Sequence, residues 1–291
     1  MHSHEQAEVN LPYEFDADTA VVQTGDGVFA AHMSAHWCAR AGAPNGGYTL
    51  ALCLRALMLS VVHPTQLDPL AVSATYLRPA AVGPAQIRAR LLRSGRRLTM
   101  GEAALFQGGQ QVVAVLASFA DLSAFAGVTR VYNEAPKLPP PEECVEQPPI
   151  SAMAGATLAQ RITYRWPHLP GWMTGSAGGT NQAEFWMRFR DGRAADALSL
   201  PTLVDAAAPV VLDQGERDSS TIELSVHIRA VPTSAWLACR AQTRHVMRGL
   251  HEEDFEIWDA NGVLVAQSRQ LAVLSSGPFS NTVSTGPLRS P

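Results

Sequence analysis

The run "SLPTLVDAAAPVVL", residues 199–212, sets a single acid, Asp205, among residues that are otherwise almost wholly apolar. A carboxylate taken out of water is costly, or shifts its pKa upward until it finds a partner, so the placement needs a physical reason. One reason is structural, a satisfied core acid or a helix cap. The other is chemical, a general base whose pKa burial has lifted toward a useful value. A second segment with chemical potential is "APNGGYTL", residues 43–50. Asn45 is a good N-cap ahead of Gly46, Gly47 and an apolar helix, so unpaired backbone N–H groups and the positive helix end coincide there. Such a terminus suits an anionic oxygen, and glycines let a carbonyl come close to backbone. The plain alternative is a cap with a tight helix–sheet contact. No G-x-x-x-x-G-K pattern is present, which argues against a nucleotide phosphate loop.

These segments need a framework, and the same order of elements occurs twice. The first copy runs from "VFAAHMSAH" through "APNGGYTLALCLRALMLSVV" to the alternating runs "LAVSATYLR", "AQIRARLLR" and "TMGEAALFQGGQQVVAVLASFADL". The second runs from "AEFWMRFRDG" through "PTLVDAAAPVVL" to "STIELSVHIRA", "AWLACRAQTRHV" and "EEDFEIWDANGVLVAQSRQLAVL". Both read strand, helix, then a meander of strands, with the turn signals "QGGQ" and "DANG" between the last two strands of each copy. Two copies of this length predict a pseudo-dimer rather than a solenoid. The expected fold is α+β, a double hotdog, in which each repeat wraps an antiparallel sheet around one long helix. Pro209 is expected to bend the second helix. The predicted divisions are an N-terminal segment over 1–14, a first repeat over 15–125, a Pro-rich linker over 126–178, a second repeat over 179–275 and a disordered tail over 276–291.

Composition excludes several function classes. The 291 residues are 46% hydrophobic and 16% charged with a formal net charge of −4, and no basic run exceeds a pair of arginines. Nucleic acid is therefore not an expected partner. The longest apolar run is interrupted by Arg55 and is short for a membrane span, and the first residues lack the pattern of a secretory signal. Cys38, Cys53, Cys144 and Cys239 form no C-x-x-C pair, so a reducing cytoplasm and no structural metal are expected.

The segments "NGGYTLAL", "ATYLRPA", "LRSGRRLTMGEAALFQGGQQVVAVLASF", "LVDAAAPVVL", "STIELSVHI" and "NGVLVAQSRQLAV" resemble the acyl-CoA thioesterase II type of the thioesterase-like superfamily. The resemblance spans Phe15 to Leu274 and fades across the linker. It implies hydrolysis of an acyl-CoA by a water held between Asp205 on the second helix, Thr221 on the following strand and Gln270 on the last strand. It implies no cofactor, coenzyme A entering only as part of substrate and product. Asp205 would take the water proton; Thr221 and Gln270, which both donate and accept, would fix the water's orientation. The chain departs from the family in having "GGY" for "GGQ" and "ELSVHI" in place of an aromatic-rich segment, which leaves the acyl preference open.

The two copies are unequal. The first helix carries glycines and no acid; the second carries Asp205 and no Gly-Gly start. One active site per chain is expected, with Gly46 and Gly47 as oxyanion donors from the first half and the water-holding set from the second. Asn45, Tyr48, Arg78, Arg96 and Arg97 are the expected substrate-binding residues. Arginine forks suit the phosphates of coenzyme A, and Arg93 is a further option, against the plain reading of a solvated strand face. Acyl-pocket depth depends on which of Tyr48, Met58, Phe106, Trp186 and their neighbours point inward, which leaves the acyl length open. The carrier is coenzyme A or an acyl-carrier phosphopantetheine, and open sheet edges predict a homo-oligomer. Two other readings compete: a non-catalytic acyl-thioester-binding protein that keeps the fold, and a hotdog hydratase or dehydratase, for which His36 is the one attractive candidate.

Overall fold

A computed structural model describes residues 13–39, 42–61, 65–149, 155–216 and 218–274; the expected disordered tail and most of the N-terminal segment lie outside this range. A short helix α1 (Glu14–Asp18) is followed by β1 (Val21–Gly25), β2 (Val28–Met33), the long helix α2 (Gly46–Ser60), β3 (Asp68–Tyr76), β4 (Gly83–Ser94), β5 (Thr99–Gln107) and β6 (Gln110–Ala120). The second half contains β7 (Val145–Glu146), β8 (Ile162–Trp166), α3 (Gly171–Thr174), β9 (Gln182–Phe189), α4 (Leu200–Leu203), β10 (Ser219–Ile228), β11 (Leu237–Gln242), β12 (Val246–Met247), β13 (Leu250–Asp259) and β14 (Leu264–Leu274).

The strands form one continuous antiparallel sheet whose halves meet where β3 pairs β10. Read outward from that joint, the order is β3-β6-β5-β4-β2-β1 on one side and β10-β14-β13-β11-β9-β8-β7 on the other. Each side thus repeats one strand order. At the joint Val72, Ala74, Leu224 and Val226 are buried on one face, while Ser73 and His227 face outward, the alternation expected of a half-buried sheet.

Helix α2 is buried along nearly its whole length, from Gly47 to Leu57 except Arg55. A helix apolar on most sides belongs at the centre of a core. Asn45 caps it as its sequence predicts, accepting from the Tyr48 N–H at 2.9 Å. Arg55, which interrupts the apolar run, reaches Asp16 at 3.3 Å and the Thr19 hydroxyl at 3.2 Å.

The second long helix does not form. In its place are the four-residue α4, a turn through Asp205 and a 3-10 turn over Val210–Gln214. Pro209 has no N–H to donate to Asp205 and disfavours helical backbone at the residue before it. The carbonyl a helix would strand at Asp205, and the Ala206 and Val210 groups it would pair with each other, find tertiary partners instead. The Asp205 carbonyl accepts from Asn45 Nδ2 at 2.8 Å, the Ala206 carbonyl from the Tyr164 hydroxyl at 2.7 Å, and the Val210 N–H donates to Glu253 Oε2 at 2.7 Å. The expected linker also needs correction. β8 pairs β9 and so belongs to the second half of the sheet, and β7 pairs β8 inside the Pro-rich stretch. The alternating run "ITYRW", with Ile162, Tyr164 and Trp166 buried, is a strand that the turn-rich text around it obscured.

A buried polar link ties the two halves together away from the sheet. Arg193 grips Asp16 with Nε and Nη2, both at 2.9 Å, donates to Asp196 at 2.7 Å, and lies over the Phe15 ring at 4.9 Å. Removing one member of a buried pair strands the other charge. Arg193→Met is expected to lower stability by about 3 kcal/mol, and both halves are expected to unfold in a single transition, as read by intrinsic tryptophan fluorescence in a urea titration.

Candidate active site

Asp205 lies in the turn after α4, against the N-terminus of α2. Its Oδ2 accepts from the Gly47 N–H at 2.8 Å and from Asn45 Nδ2 at 2.9 Å. Asn45 therefore does two jobs: Oδ1 caps its own helix while Nδ2 holds the acid of the other half. Gly47 is required by the closeness of this docking, because a Cβ there would sit 2.5 Å from the Pro201 carbonyl oxygen and 2.9 Å from Asp205 Cβ. Burial raises the Asp205 pKa to about 6, although the Gly47 N–H, Asn45 and the Gly46 N–H each act to lower it. The carboxyl thus titrates just below neutrality, in the range a general base needs.

Thr221 and Gln270 meet on neighbouring strands. In the β10–β14 ladder Thr221 opposes Ala272 and Leu224 opposes Gln270, and the register slips by one residue between Thr221 and Glu223. The extra residue, Ile222, turns Thr221 onto the face that carries Gln270; unbroken alternation would have pointed it to the other face. The Thr221 hydroxyl donates to Gln270 Oε1 at 3.0 Å. Gln270 Nε2 in turn donates to Glu253 Oε1 at 3.4 Å. The Gln270 amide is thereby held in one orientation, and Thr221 keeps its lone pairs for another donor.

Asp205, Thr221 and Gln270 all line one cavity of about 560 Å³, together with Asn45, Gly46 and Tyr76. Both halves of the chain contribute. Most of the remaining wall is small and apolar: Ala39, Ala80, Ala156, Ala159 and the run Ala206–Ala208. Ala156, Leu158 and Trp172 reach the wall from the stretch expected to be linker. Asp213 fixes that stretch, accepting from the N–H groups of Trp172, Gly178 and Thr180 and from the Thr180 hydroxyl. Burial pushes the Asp213 pKa up, but these hydrogen bonds prevail and hold it below its ordinary value.

Several expected site residues lie elsewhere. Tyr48 is in the core, stacked on Trp37 with ring centroids 5.7 Å apart, and its hydroxyl donates to the Asp18 carbonyl at 2.7 Å while accepting from the Ser34 N–H at 3.1 Å. Helical geometry turns Tyr48 inward once Asn45 is the cap. Met58, Phe106 and Trp186 are likewise absent from the cavity wall. Arg96 and Arg97 are exposed in the β4–β5 turn, held by Gln66 Nε2 donating to the Gly95 and Arg96 carbonyls. Gln66 follows the C-terminus of α2, so this turn is about 20 Å from Asn45 at the other helix end. Arg78 does reach the cavity rim, where its guanidinium donates to the Gln111 carbonyl at 2.9 Å. Gly46 lines the cavity and Gly47 does not, and the Gly47 N–H is no free oxyanion donor, because it is committed to Asp205 Oδ2. His36 pairs with Asp18 at 2.9 Å and does not line the cavity.

Sequence reasoning missed Glu253. It is 4% exposed on β13, and burial raises its pKa to about 7, with the Asp205 charge a smaller cause in the same direction. Its text, "HEEDFEIW", sets three acids in a row and so reads as solvated, yet strand alternation with Phe255 and Ile257 puts Glu253 on the inward face. Tyr76, inside the matched "ATYLRPA", was also passed over. Among the described residues, no three His, Cys, Asp or Glu side chains converge as a metal site, and no helix is long and apolar enough to cross a membrane.

The acyl-CoA thioesterase N-terminal domain matches residues 33–120, and the acyl-CoA thioesterase C-terminal domain matches residues 141–274. The chain belongs to this acyl-CoA thioesterase family. A candidate thioesterase II from Thermobifida fusca superposes with a TM-score of 0.79 at 30% identity, over 90% of this chain and 97% of the other. A hotdog-fold protein of unknown function from Alicyclobacillus acidocaldarius superposes with a TM-score of 0.78 at 24% identity, over 90% and 98% of the two chains. An uncharacterised Mycobacterium tuberculosis protein is 26% identical over 267 residues, covering 85% of this chain and 91% of its own length.

Two stability measurements follow. The folded Asp205 pKa is raised above its unfolded value of 3.8 to about 6, so the folded state binds this proton more tightly. Its contribution to stability is complete below the unfolded pKa and is lost as pH rises through the folded one. Asp205→Asn can accept from Gly47 and Asn45 through its amide oxygen, and is expected to exceed wild type in stability by on the order of 2 kcal/mol at pH 7. The gain should vanish below about pH 4, as read by denaturation midpoints across pH. Tyr48→Phe removes a buried hydroxyl and is expected to lower stability by about 1–2 kcal/mol while leaving substrate KM unchanged, which separates this core tyrosine from the cavity.

Proposed function

We propose that the protein hydrolyses acyl-CoA thioesters to a free acid and coenzyme A, with the two halves acting as two hotdog repeats around one shared site. The observation that carries this reading is the convergence of Asp205, Thr221 and Gln270 on one cavity lined by both halves. Asp205 would take a proton from a water that the Thr221 oxygen and the Gln270 amide hold in place. The water oxygen bonds to the thioester carbonyl carbon as the carbonyl electron pair moves onto oxygen. Collapse of that adduct breaks the carbon–sulfur bond, and the departing thiolate receives the proton from Asp205. Thiolates leave readily, so no separate strong acid is required.

Glu253 supports the reading from behind. Its hydrogen bond to Gln270 fixes which end of the amide faces the cavity. Burial, with the Asp205 charge adding a smaller push in the same direction, lets Glu253 hold its proton to about 7. The small apolar wall suits an acyl chain, and Arg78 at the rim is the one expected arginine placed to meet a coenzyme A or phosphopantetheine phosphate. The hydratase reading loses its base, since His36 is bound to Asp18 outside the cavity.

The test is thiol release from short, medium, long and aromatic acyl-CoAs by wild type and Asp205→Asn. Wild type should turn over at least one member, and Asp205→Asn should lower kcat by at least about a thousandfold with the fold intact. The acid limb of kcat/KM should fall with a midpoint near 6, the pH at which Asp205 takes up its proton. Wild-type inactivity across the panel would leave an acyl-thioester-binding protein as the better account, and full activity in Asp205→Asn would remove Asp205 as the base.

A further inference from the structure

Thioester hydrolysis places negative charge on the carbonyl oxygen, and the Gly47 N–H at the start of α2 is already engaged by Asp205. One hydrogen-bond donor in the same corner is unengaged. The Tyr76 hydroxyl, at the end of β3, is shut off from solvent and has no hydrogen-bond partner among the described residues. It lies beside Asp205 at the start of α2: a Cβ on Gly46 would be 2.9 Å from the Tyr76 hydroxyl and 3.0 Å from Asp205 Oδ2. The base and the free donor therefore pack on the same residue, Gly46, and Tyr76, Asp205 and Gly46 all line the cavity.

We infer that the Tyr76 hydroxyl is the donor to the thioester carbonyl oxygen, and hence a catalytic residue of the hydrolysis proposed above. A buried hydroxyl left unpaired in the empty protein is unfavourable, and it gains its partner only when the site is filled. A donor fixed in advance, at the place where charge develops, stabilises the transition state without reorganising. Tyr76 donates a hydrogen bond and keeps its proton throughout. Burial and the neighbouring Asp205 charge push its pKa well above the ordinary tyrosine value, so it stays a protonated donor across the working pH range. Gly46 is small for the same reason: any side chain there would displace the hydroxyl.

The inference rests on the proposed hydrolysis, and its test separates the two. Tyr76→Phe removes one oxygen that has no partner in the empty protein, so it should be at least as stable as wild type. On the best substrate its kcat should fall about a hundredfold with KM little changed. The second readout needs no turnover: the infrared carbonyl band of S-(2-oxopentyl)-coenzyme A, a ketone that cannot be hydrolysed, labelled with carbon-13 at the carbonyl. Bound to wild type, the band should lie at lower frequency than when bound to Tyr76→Phe. Equal band positions, failure of the ketone to bind, or unchanged kcat in Tyr76→Phe overturns the inference. If the band shifts with Tyr76 while wild type hydrolyses no acyl-CoA, the hydrogen bond stands and the hydrolytic reading fails.

Discussion

The site depends on one joint: the carboxylate of Asp205, from the second half, seated on the helix N-terminus of the first. The N-terminus of α2 supplies what a buried carboxylate needs, a backbone N–H from Gly47, an amide from Asn45 and the positive end of a helix. These donors do not cancel the cost of burial. They leave the acid titrating at about 6, more basic than a solvated aspartate yet ionised at neutral pH. A stronger cage would make a poor base and a weaker one would leave the acid protonated. The same joint closes the cavity, because the close packing of Gly47 on α4 brings the wall of the second half against the first.

The break in the second helix makes that joint possible. A continuous helix through Pro209 would have paired the Ala206 carbonyl with the Val210 N–H and left the Asp205 carbonyl without a donor. With the proline unable to donate, that carbonyl and its neighbours are free to bind Asn45, Tyr164 and Glu253, each from a different element. The two halves thus share a strand order but differ at the one element that matters. The first half keeps an intact helix to present its terminus; the second gives up its helix to present an acid. The bulge at Ile222 and the buried Glu253 serve the same end on the sheet side, aiming Thr221 and orienting Gln270.

Much of this was legible in the sequence. Alternation of apolar residues, Gly-containing turns and the recurrence of element order gave the strands and the two-part plan. The isolation of Asp205 in apolar text gave the acid, and resemblance gave Thr221 and Gln270. Three kinds of fact were not legible. A helix that tertiary partners outcompete, as at Pro209, looks like a bent helix until those partners are known. Direction within a helix or strand decides between core and cavity, which is why Tyr48 was misplaced and Tyr76 overlooked. An arginine pair such as Arg96 and Arg97 reads the same whether its turn lies at the cavity or at the far end of α2. For the glycine pair, likewise, which acceptor claims the Gly47 N–H depends on the neighbour across the interface.

The claim at the centre of this account is that Asp205 activates a water and forms no bond to the acyl group itself. A single turnover in water enriched in oxygen-18, with enzyme in excess over an acyl-CoA it hydrolyses, tests that claim directly when both product acid and the peptide containing Asp205 are weighed by mass spectrometry. The account predicts one heavy oxygen in the released acid from the first turnover and none in the Asp205 peptide. Unlabelled acid together with heavy oxygen in that peptide would mean that the carboxylate attacks the thioester through an anhydride, and would contradict it.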